Sequence, residues 1–252
     1  MGLNLRHHIV SAYDRELTKL RGLVLDMGER VIDQTQTAVS ALLNGNVNTA
    51  RTVLEREPRI DDLNIEADEE IFSLIARRQP TAIDLRLVLA LSKIVNELER
   101  GGDKAERIAR AVIRLLDAGG LPIAPPILDS LRQLDSIACC MLERSLDATA
   151  AADIDRAVTI FESETQLYQL TATLRTQLLA PDTGLTPAQF AELISISFGL
   201  ERIGNHGANI AEQVIYIVRG DDIRYRNREL LIDALRHSTG SRSEDAQPLS
   251  PC

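Results

Sequence analysis

Apolar side chains recur at helical spacing along most of the chain and predict six long helices. In the first helix, residues 11–43, a seam of roughly heptad spacing consists of Leu17, Leu20, Val24, Met27, Val31 and Thr35. The other five are predicted at residues 49–78, 81–116, 127–148, 153–179 and 187–220, separated by segments rich in Asn, Gly or Pro. Pro58 lies inside the second helix and predicts a kink or a restart there, because proline has no amide hydrogen to donate.

A linker rich in glycine and proline, residues 117–126, divides the six helices into two sets of three. We therefore predict an all-α fold of two pseudo-symmetric three-helix bundles, similar to spectrin-like repeats, at residues 1–117 and 118–220. Residues 221–252 begin as a charged extension and become rich in Ser, Gly, Asp and Pro from Ser238 onward. That composition predicts a disordered tail.

The last helix of each set carries the same motif. LERGGDKAERIAR spans Leu98–Arg110 and LERIGNHGANIAE spans Leu200–Glu212, so the chain reads as one helical unit written twice. Each glycine inside a helix costs about 1 kcal/mol relative to alanine. We expect these glycines to be required by a close approach to the backbone, either of another helix or at a binding site.

Two acidic pairs precede and follow the turn between the second and third helices. Glu99 and Asp103 are four residues apart, which places both carboxylates on one helix face at the border of the core. Glu57 and Asp61 have the same spacing on the preceding helix. Antiparallel packing would bring all four to one groove, where they repel one another unless a cation binds or some take up protons. Oxygen ligands of this kind suit Mg²⁺, Ca²⁺, Mn²⁺ or iron.

The alternative is an ordinary solvated acidic surface. Arg100 and Arg107 are close enough in sequence to neutralise the acids of the third helix, and the segment around Glu57 and Asp61 is acidic throughout. Sequence spacing leaves both interpretations open.

The second half of the chain has fewer acids at the matching positions. Glu164 and Glu201 correspond to Glu57 and Glu99, but Tyr168 and Asn205 stand where Asp61 and Asp103 predict acids. A metal site in this half is therefore expected to carry less charge and to bind more weakly.

Composition narrows the possible functions. The chain has 252 residues, is 44% hydrophobic and only 3% aromatic, and carries a net charge of −9. A negative charge argues against a nucleic-acid partner, since such binding depends on Lys and Arg neutralising phosphates. No apolar stretch of about 18 residues predicts a membrane span and no signal peptide is recognisable, so we expect a cytoplasmic protein.

Signatures of common enzyme classes are missing from the sequence. It contains no P-loop and no GxSxG nucleophile motif. A di-metal carboxylate enzyme built on a ferritin-like bundle remains an alternative, but it needs Glu-x-x-His pairs on core-facing helices and the sequence has none.

The turn before the third helix reads RRQPTAIDLR at residues 77–86. Thr81 is expected to cap that helix. We expect Arg77, Arg78, Asp84 and Arg86 to form either a salt-bridged structural corner or a surface that docks a partner.

The two LERxG(D/N) helices and the RRQPTAIDLR turn resemble those of the PhoU family of phosphate-transport regulators. The resemblance covers roughly residues 12–228 with both copies in order. It implies two similar helical bundles, a cytoplasmic homodimer, and acidic helix motifs that bind multinuclear iron or another metal ion such as Mg²⁺, Mn²⁺, Ca²⁺ or Zn²⁺. Carried over by position, the ligands are Glu57, Asp61, Glu99 and Asp103 at a first site, and Glu164, Glu201 and Asn205 at a weaker second site.

The family's function, as the resemblance implies it, is to repress the phosphate-starvation response without being an enzyme. Its members link the ATPase subunit of the phosphate ABC transporter to a membrane sensor histidine kinase and restrain phosphate uptake. A helical scaffold without metal, whose acidic faces dock basic partners, remains an alternative.

Overall fold

The structure, a computed structural model, describes residues 5–119, 123–181 and 183–223, with side chains from residue 13 onward. Every regular element in these ranges is a helix, which confirms the all-α prediction. The helices are α1 (Leu5–Leu43), α2 (Val47–Arg56), α3 (Pro58–Arg78), α4 (Ala82–Asp117), α5 (Pro125–Ala151), α6 (Ile154–Leu178) and α7 (Pro187–Arg219). The predicted tail lies outside the described residues except for 221–223.

The second predicted helix is divided into α2 and α3. Pro58 occupies the first turn of α3, where its missing N–H costs nothing, and the chain restarts there. Glu57 forms the junction: its amide donates to the carbonyl of Val53, and its own carbonyl accepts from Ile60 at 2.8 Å. The division therefore fixes Glu57 at the end of one helix and Asp61 in the first turn of the next.

Side-chain caps explain where several helices begin. The Asp153 carboxylate accepts hydrogen bonds from the first-turn amides of α6, at the residue where the sequence predicts this helix to begin. Thr186 and Gln189 form a reciprocal capping box at the start of α7, with Pro187 in its first turn. The expected cap by Thr81 is wrong in one respect. Thr81 precedes α4 in extended conformation, but its side chain makes no capping hydrogen bond.

The two halves of the chain pack against each other along their last helices. α4 and α7 make the most extensive helix–helix contact, α5 also packs on α7, and α1 packs on α4 and α5. Buried apolar side chains from both halves form one continuous cluster, which includes most of the α1 seam and the buried apolar face of α4. The boundaries at residues 117 and 220 stay predictions.

Close packing accounts for the glycines of the repeated motif. A Cβ on Gly102 would lie 3.1 Å from Ile60 of α3, and a Cβ on Gly204 would lie 2.6 Å from Leu167 of α6. Ile60 directly precedes Asp61, and Leu167 directly precedes Tyr168. The two halves thus repeat the same contact, and its register supports the alignment of Asp61 with Tyr168.

Candidate functional site

The candidate site is the acidic groove between α3 and α4, defined by Glu57, Asp61, Glu99 and Asp103. Helical spacing places Glu99 and Asp103 one turn apart on α4. The contact of Gly102 with Ile60 brings that turn against the start of α3, because a glycine lets the helices approach closely. The four predicted acids therefore come from both sides of one helix crossing.

The electrostatics of the groove show that these carboxylates lie within range of one another's charge. Burial raises the pKa of Glu57, and the charges of Asp61, Glu106, Asp103 and Glu99 raise it further. Burial also raises the pKa of Glu99, followed by the charges of Asp103 and Asp61, while Arg100 and Lys104 lower it. The acids of the groove thus repel one another and favour a bound proton or cation.

Glu106 is a member of the groove that the sequence analysis missed. Its spacing of three residues from Asp103 could have identified it, since both then lie on one helix face. Glu106 accepts a 2.6 Å hydrogen bond from Arg110, whose pKa is raised first by that bond and also by the charge of Glu57. Arg110 therefore supplies part of the counter-charge, in place of the predicted Arg107.

The carboxylates of the groove do not form a preassembled metal cage. Within the described ranges, no group of three or more His, Cys, Asp or Glu side chains is placed so that it could hold a metal ion. The donors are all carboxylates, which suits hard divalent ions and iron, and their mutual repulsion is what a cation would relieve. Binding would require side-chain rotation within the groove.

The corresponding groove between α6 and α7 is satisfied by the chain's own side chains. Tyr168 donates a 3.2 Å hydrogen bond from its hydroxyl to Oδ1 of Asn205. Glu201 forms a short ion pair with Arg175, whose guanidinium also lies 4.2 Å from the ring centre of Phe198. The side chain of Arg175 therefore supplies the positive charge in the groove between α6 and α7. Glu164, the remaining predicted ligand, is partly buried on α6.

The turn at residues 77–86 lies where α1, α3, α4 and α7 meet. Arg78 donates two hydrogen bonds, of 2.9 and 2.8 Å, to the carboxylate of Glu16 on α1, and these bonds lower the pKa of Glu16. Arg86 lies against Gly220 at the end of α7. Arg77 and Asp84 are exposed. Arg78 and Arg86 thus make structural contacts, whereas partner docking at this corner stays a prediction.

The sequence analysis also missed a partly buried polar cluster between α4 and α7. Glu97 accepts from Nδ1 of His206 and from the side-chain amide of Asn209, both at 2.8 Å. Glu97 immediately precedes the first copy of the motif, and His206 lies within the second. Sequence spacing could not have joined them, because the pairing depends on how the two helices dock.

Known proteins resemble this chain over most of its length. The family model of the PhoU domain matches residues 24–112 and again residues 131–214. A Burkholderia protein named "Phosphate-specific transport system accessory protein PhoU homolog" is 36% identical over 229 residues, which cover 89% of this chain and 96% of the relative. The Escherichia coli K12 protein named "Phosphate-specific transport system accessory protein PhoU" is 35% identical over 226 residues, covering 88% and 92%.

A solved structure agrees with the sequence matches. The crystal structure of PhoU from Pseudomonas aeruginosa superimposes with a TM-score of 0.76 at 34% identity, covering 83% of this chain and 100% of that chain. Two matched stretches, a repeated acidic motif and a shared fold lead to one conclusion. The chain belongs to the PhoU family.

Proposed function

We propose that this protein is a negative regulator of the phosphate-starvation response. In this role it is an adaptor that links the ATPase subunit of a phosphate ABC transporter to a sensor histidine kinase, and it restrains phosphate uptake. One observation carries the proposal: relatives named as accessory proteins of the phosphate-specific transport system match nearly the whole chain at 35–36% identity. These names describe accessory proteins, and we propose no catalytic role.

An adaptor needs binding surfaces whose relative positions do not change when its partners bind. The continuous core across both halves supports such a rigid body. Bidentate hydrogen bonds of 2.7 Å from Arg114 of α4 to Glu192 of α7 also tie the halves together. No described helix is long and apolar enough to cross a membrane. We propose a cytoplasmic homodimer that reaches the membrane through its partners.

Two experiments test this role. The purified protein is used to capture the transporter ATPase subunit and, separately, the cytoplasmic region of the kinase, and we expect both to bind. In cells grown with ample phosphate, deletion of the gene should activate a phosphate-starvation reporter, and the wild-type gene should restore repression. Failure to bind either partner, together with an unchanged reporter, would refute the adaptor role. Cell fractionation and light scattering test the location and the dimer.

We further propose that the acidic groove binds iron or another divalent metal ion, with Mg²⁺, Mn²⁺, Ca²⁺ and Zn²⁺ as the candidates. Glu57, Asp61, Glu99 and Asp103 would be its ligands. The pKa values of Glu57 and Glu99 support this: burial raises them first and the charges of neighbouring carboxylates raise them further, and a bound cation would relieve that second contribution.

The second groove would hold a metal more weakly through Glu164, Glu201 and Asn205. Two contacts support this ranking. The ion pair of Glu201 with Arg175 and the hydrogen bond of Asn205 with Tyr168 must both be broken before these side chains could turn to a metal ion.

A metal-free scaffold is the second candidate. The observation in its favour is that the described carboxylates are not grouped as a ready set of ligands. In that case the acidic groove would dock basic side chains of a partner.

Elemental analysis separates these two candidates. Protein purified without added iron is compared with the variant Glu99→Ala/Asp103→Ala, and the matched control is Glu201→Ala/Asn205→Ala in the second groove. We expect stoichiometric metal in the wild type, loss of most of it in the first variant and a small change in the control. Metal-free wild-type protein that also fails to bind any of the candidate ions on titration would establish the scaffold instead.

A further inference from the structure

One pocket between α4 and α7 is lined by cationic side chains, although the chain as a whole carries a net negative charge. It has a volume of about 290 Å³. Its lining comes from one stripe on each helix and consists of Lys104 and Arg107 of α4 with Ser195, Phe198, Gly199 and Arg202 of α7. Residues spaced by three and four positions share a helix face, so the two stripes oppose each other across the crossing. We call these six residues the basic pocket.

The three cations of the basic pocket have no internal counter-ion. Within the described ranges, Lys104, Arg107 and Arg202 make no ion pair and no side-chain hydrogen bond. By contrast, Arg114, further along α4, forms a bidentate pair with Glu192. Lys104 acts on Glu99 only at longer range, where it lowers the pKa of that carboxyl. Converging unpaired cations repel one another, and a bound anion would relieve that repulsion.

The internal repeat supplies a direct comparison for this pocket. The motif register that aligns Leu98 with Leu200 also aligns the basic pocket with another cavity between the same helices, of about 460 Å³. That cavity is lined by Lys93, Asn96, Glu97, Arg100 and Asn209, among others. In this register, residues of the basic pocket correspond to residues of that cavity: Ser195 to Lys93, Phe198 to Asn96, Gly199 to Glu97, Arg202 to Arg100 and Arg107 to Asn209.

In the cavity around Glu97, the side chain of Glu97 itself supplies the anion. The carboxylate of Glu97 accepts hydrogen bonds from His206 and Asn209 and lies 3.7 Å from Arg100. His206 aligns with Lys104 in the motif register, so each of the three residues that contact the Glu97 carboxylate has a cationic counterpart in the basic pocket.

In the basic pocket, that carboxylate is missing. Gly199 takes the position of Glu97, and it cannot carry a side chain without rearrangement, because a Cβ there would lie 2.6 Å from Ile108. In the motif register, the cations of the basic pocket therefore occupy the positions of the residues that contact Glu97, while the position of Glu97 itself is occupied by Gly199.

We infer that the basic pocket binds a small phosphoryl anion in the place that the Glu97 carboxylate takes in the repeated cavity. Lys104, Arg107 and Arg202 neutralise its charge, and the exposed hydroxyl of Ser195 is a further hydrogen-bond partner. Guanidinium groups suit phosphoryl oxygens, because their planar N–H groups can donate two parallel hydrogen bonds.

The anion has two possible sources, inorganic phosphate and an organic phosphate monoester. The volume exceeds that of a bare ion, and the half-exposed ring of Phe198 forms part of the wall, so an organic group has room beside the anion. The inference concerns the isolated chain and does not rest on the adaptor role, so failure of one leaves the other standing.

Calorimetric titration tests the inference at constant ionic strength, with chloride balancing each addition. Inorganic phosphate and adenosine monophosphate are titrated separately into wild-type protein, Lys104→Gln and Arg202→Gln. Loss of one charge-assisted contact should weaken binding roughly tenfold or more. Arg132→Gln is the matched control, because Arg132 is exposed on α5 and pairs with Asp129, three residues away on the same helix. It should bind like the wild type.

A substitution that adds a carboxylate to the pocket distinguishes loss of the anion site from loss of the fold. Ser195→Glu places an acid on the same stripe, so we expect it to abolish anion binding and to raise the melting temperature in phosphate-free buffer. Saturable binding of phosphate alone identifies the free ion, and tighter binding of the monophosphate identifies an organic phosphate. The inference is overturned if neither ligand binds, or if Arg202→Gln and Arg132→Gln bind equally well.

Discussion

Nδ1 of His206 on α7 lies 2.8 Å from Oε2 of Glu97 on α4, and the two residues form a nearly buried polar link between the halves of the protein. An ionised carboxylate only accepts hydrogen bonds, so the proton of this contact belongs to Nδ1. Burial opposes ionisation of Glu97, but the hydrogen bonds from His206 and Asn209 outweigh it and hold the pKa of Glu97 below its ordinary value.

Replacing Glu97 by alanine should destabilise the protein. The change leaves the buried Nδ1 donor of His206 and the amide of the exposed Asn209 without their acceptor, and an unpaired buried donor costs about 1–3 kcal/mol. Urea unfolding at pH 7 measures the loss. The control is Asp129→Asn, which removes an exposed ion pair with Arg132 and should change the free energy of unfolding by less than about 1 kcal/mol.

The same substitution has a predicted pH dependence. Because the folded pKa of Glu97 is depressed, its stabilising contribution is present above its ordinary value of 4.5 and is lost as the pH falls through the folded pKa. The difference between wild type and Glu97→Ala should therefore shrink as the pH falls below 4.5. A difference that stays constant down to acid unfolding would contradict the ionised pairing.

Glu99→Gln should stabilise the metal-free protein, whereas Glu97→Ala destabilises it. Burial and the charges of Asp103 and Asp61 raise the pKa of Glu99, so its ionisation costs folding free energy as the pH rises above 4.5. Removing one like charge at this spacing should stabilise the protein by roughly 0.2–0.5 kcal/mol at pH 7. The gain should disappear below pH 4.5.

Two conditions make that measurement decisive. Unfolding is followed in the presence of a chelator, with Asp68→Asn on the exposed side of α3 as a control of equal charge change. If the groove binds a metal ion as proposed, adding that ion should reverse the sign, so that Glu99→Gln becomes the less stable protein. An unchanged sign would argue for the metal-free scaffold.

Gly207→Ala should destabilise the packing of α7 against α5. A Cβ at this position would lie 2.9 Å from backbone atoms of Met141 and Leu142, and a helix backbone cannot move aside locally. We expect a loss of about 1–3 kcal/mol. The matched control is Gly22→Ala on the exposed face of α1, where nothing lies within 4 Å and helix propensity should add about 1 kcal/mol. Thermal unfolding of both variants measures the contrast.

Ala152→Gly should stabilise the protein, although glycine usually weakens helices. Ala152 caps the end of α5 with φ 51° and ψ 44°, a left-handed conformation that costs a residue with a Cβ about 1–2 kcal/mol. Allowing for the entropy of glycine, we expect a gain of about 1 kcal/mol. Ala150→Gly, inside the same helix and exposed, should instead lose about 0.5–1 kcal/mol. Equal signs for the two variants would contradict the backbone argument.

Local patterns in the sequence were sufficient to predict where the helices lie. Periodic apolar residues, together with breakers such as Pro58, placed every described helix within a few residues of its observed ends, apart from the start of α1. The cap of Asp153 could be predicted because it involves amides two and three residues away. Thr81 shows the limit, because its rotamer depends on the surrounding turn.

The acidic groove was only partly accessible to sequence reasoning. The spacing of Glu99 and Asp103 predicts a shared face, but it does not show that Glu106 belongs to the groove or that Arg110 balances it. Likewise, Tyr168 and Asn205 are recognisable as departures from the acidic pattern, whereas their mutual hydrogen bond and the pairing of Glu201 with Arg175 require two docked helices.

The sequence by itself determined that this protein is a doubled helical unit with acids at helical spacing, because periodicity and motif recurrence depend only on neighbours along the chain. The tertiary structure alone decided which charges are satisfied. Among the described residues, docking of α4 on α7 pairs Glu97 with His206 in one cavity and leaves Lys104, Arg107 and Arg202 without an ion-pair partner in the other. That difference arises from contacts between residues about a hundred positions apart, which a one-dimensional pattern does not encode.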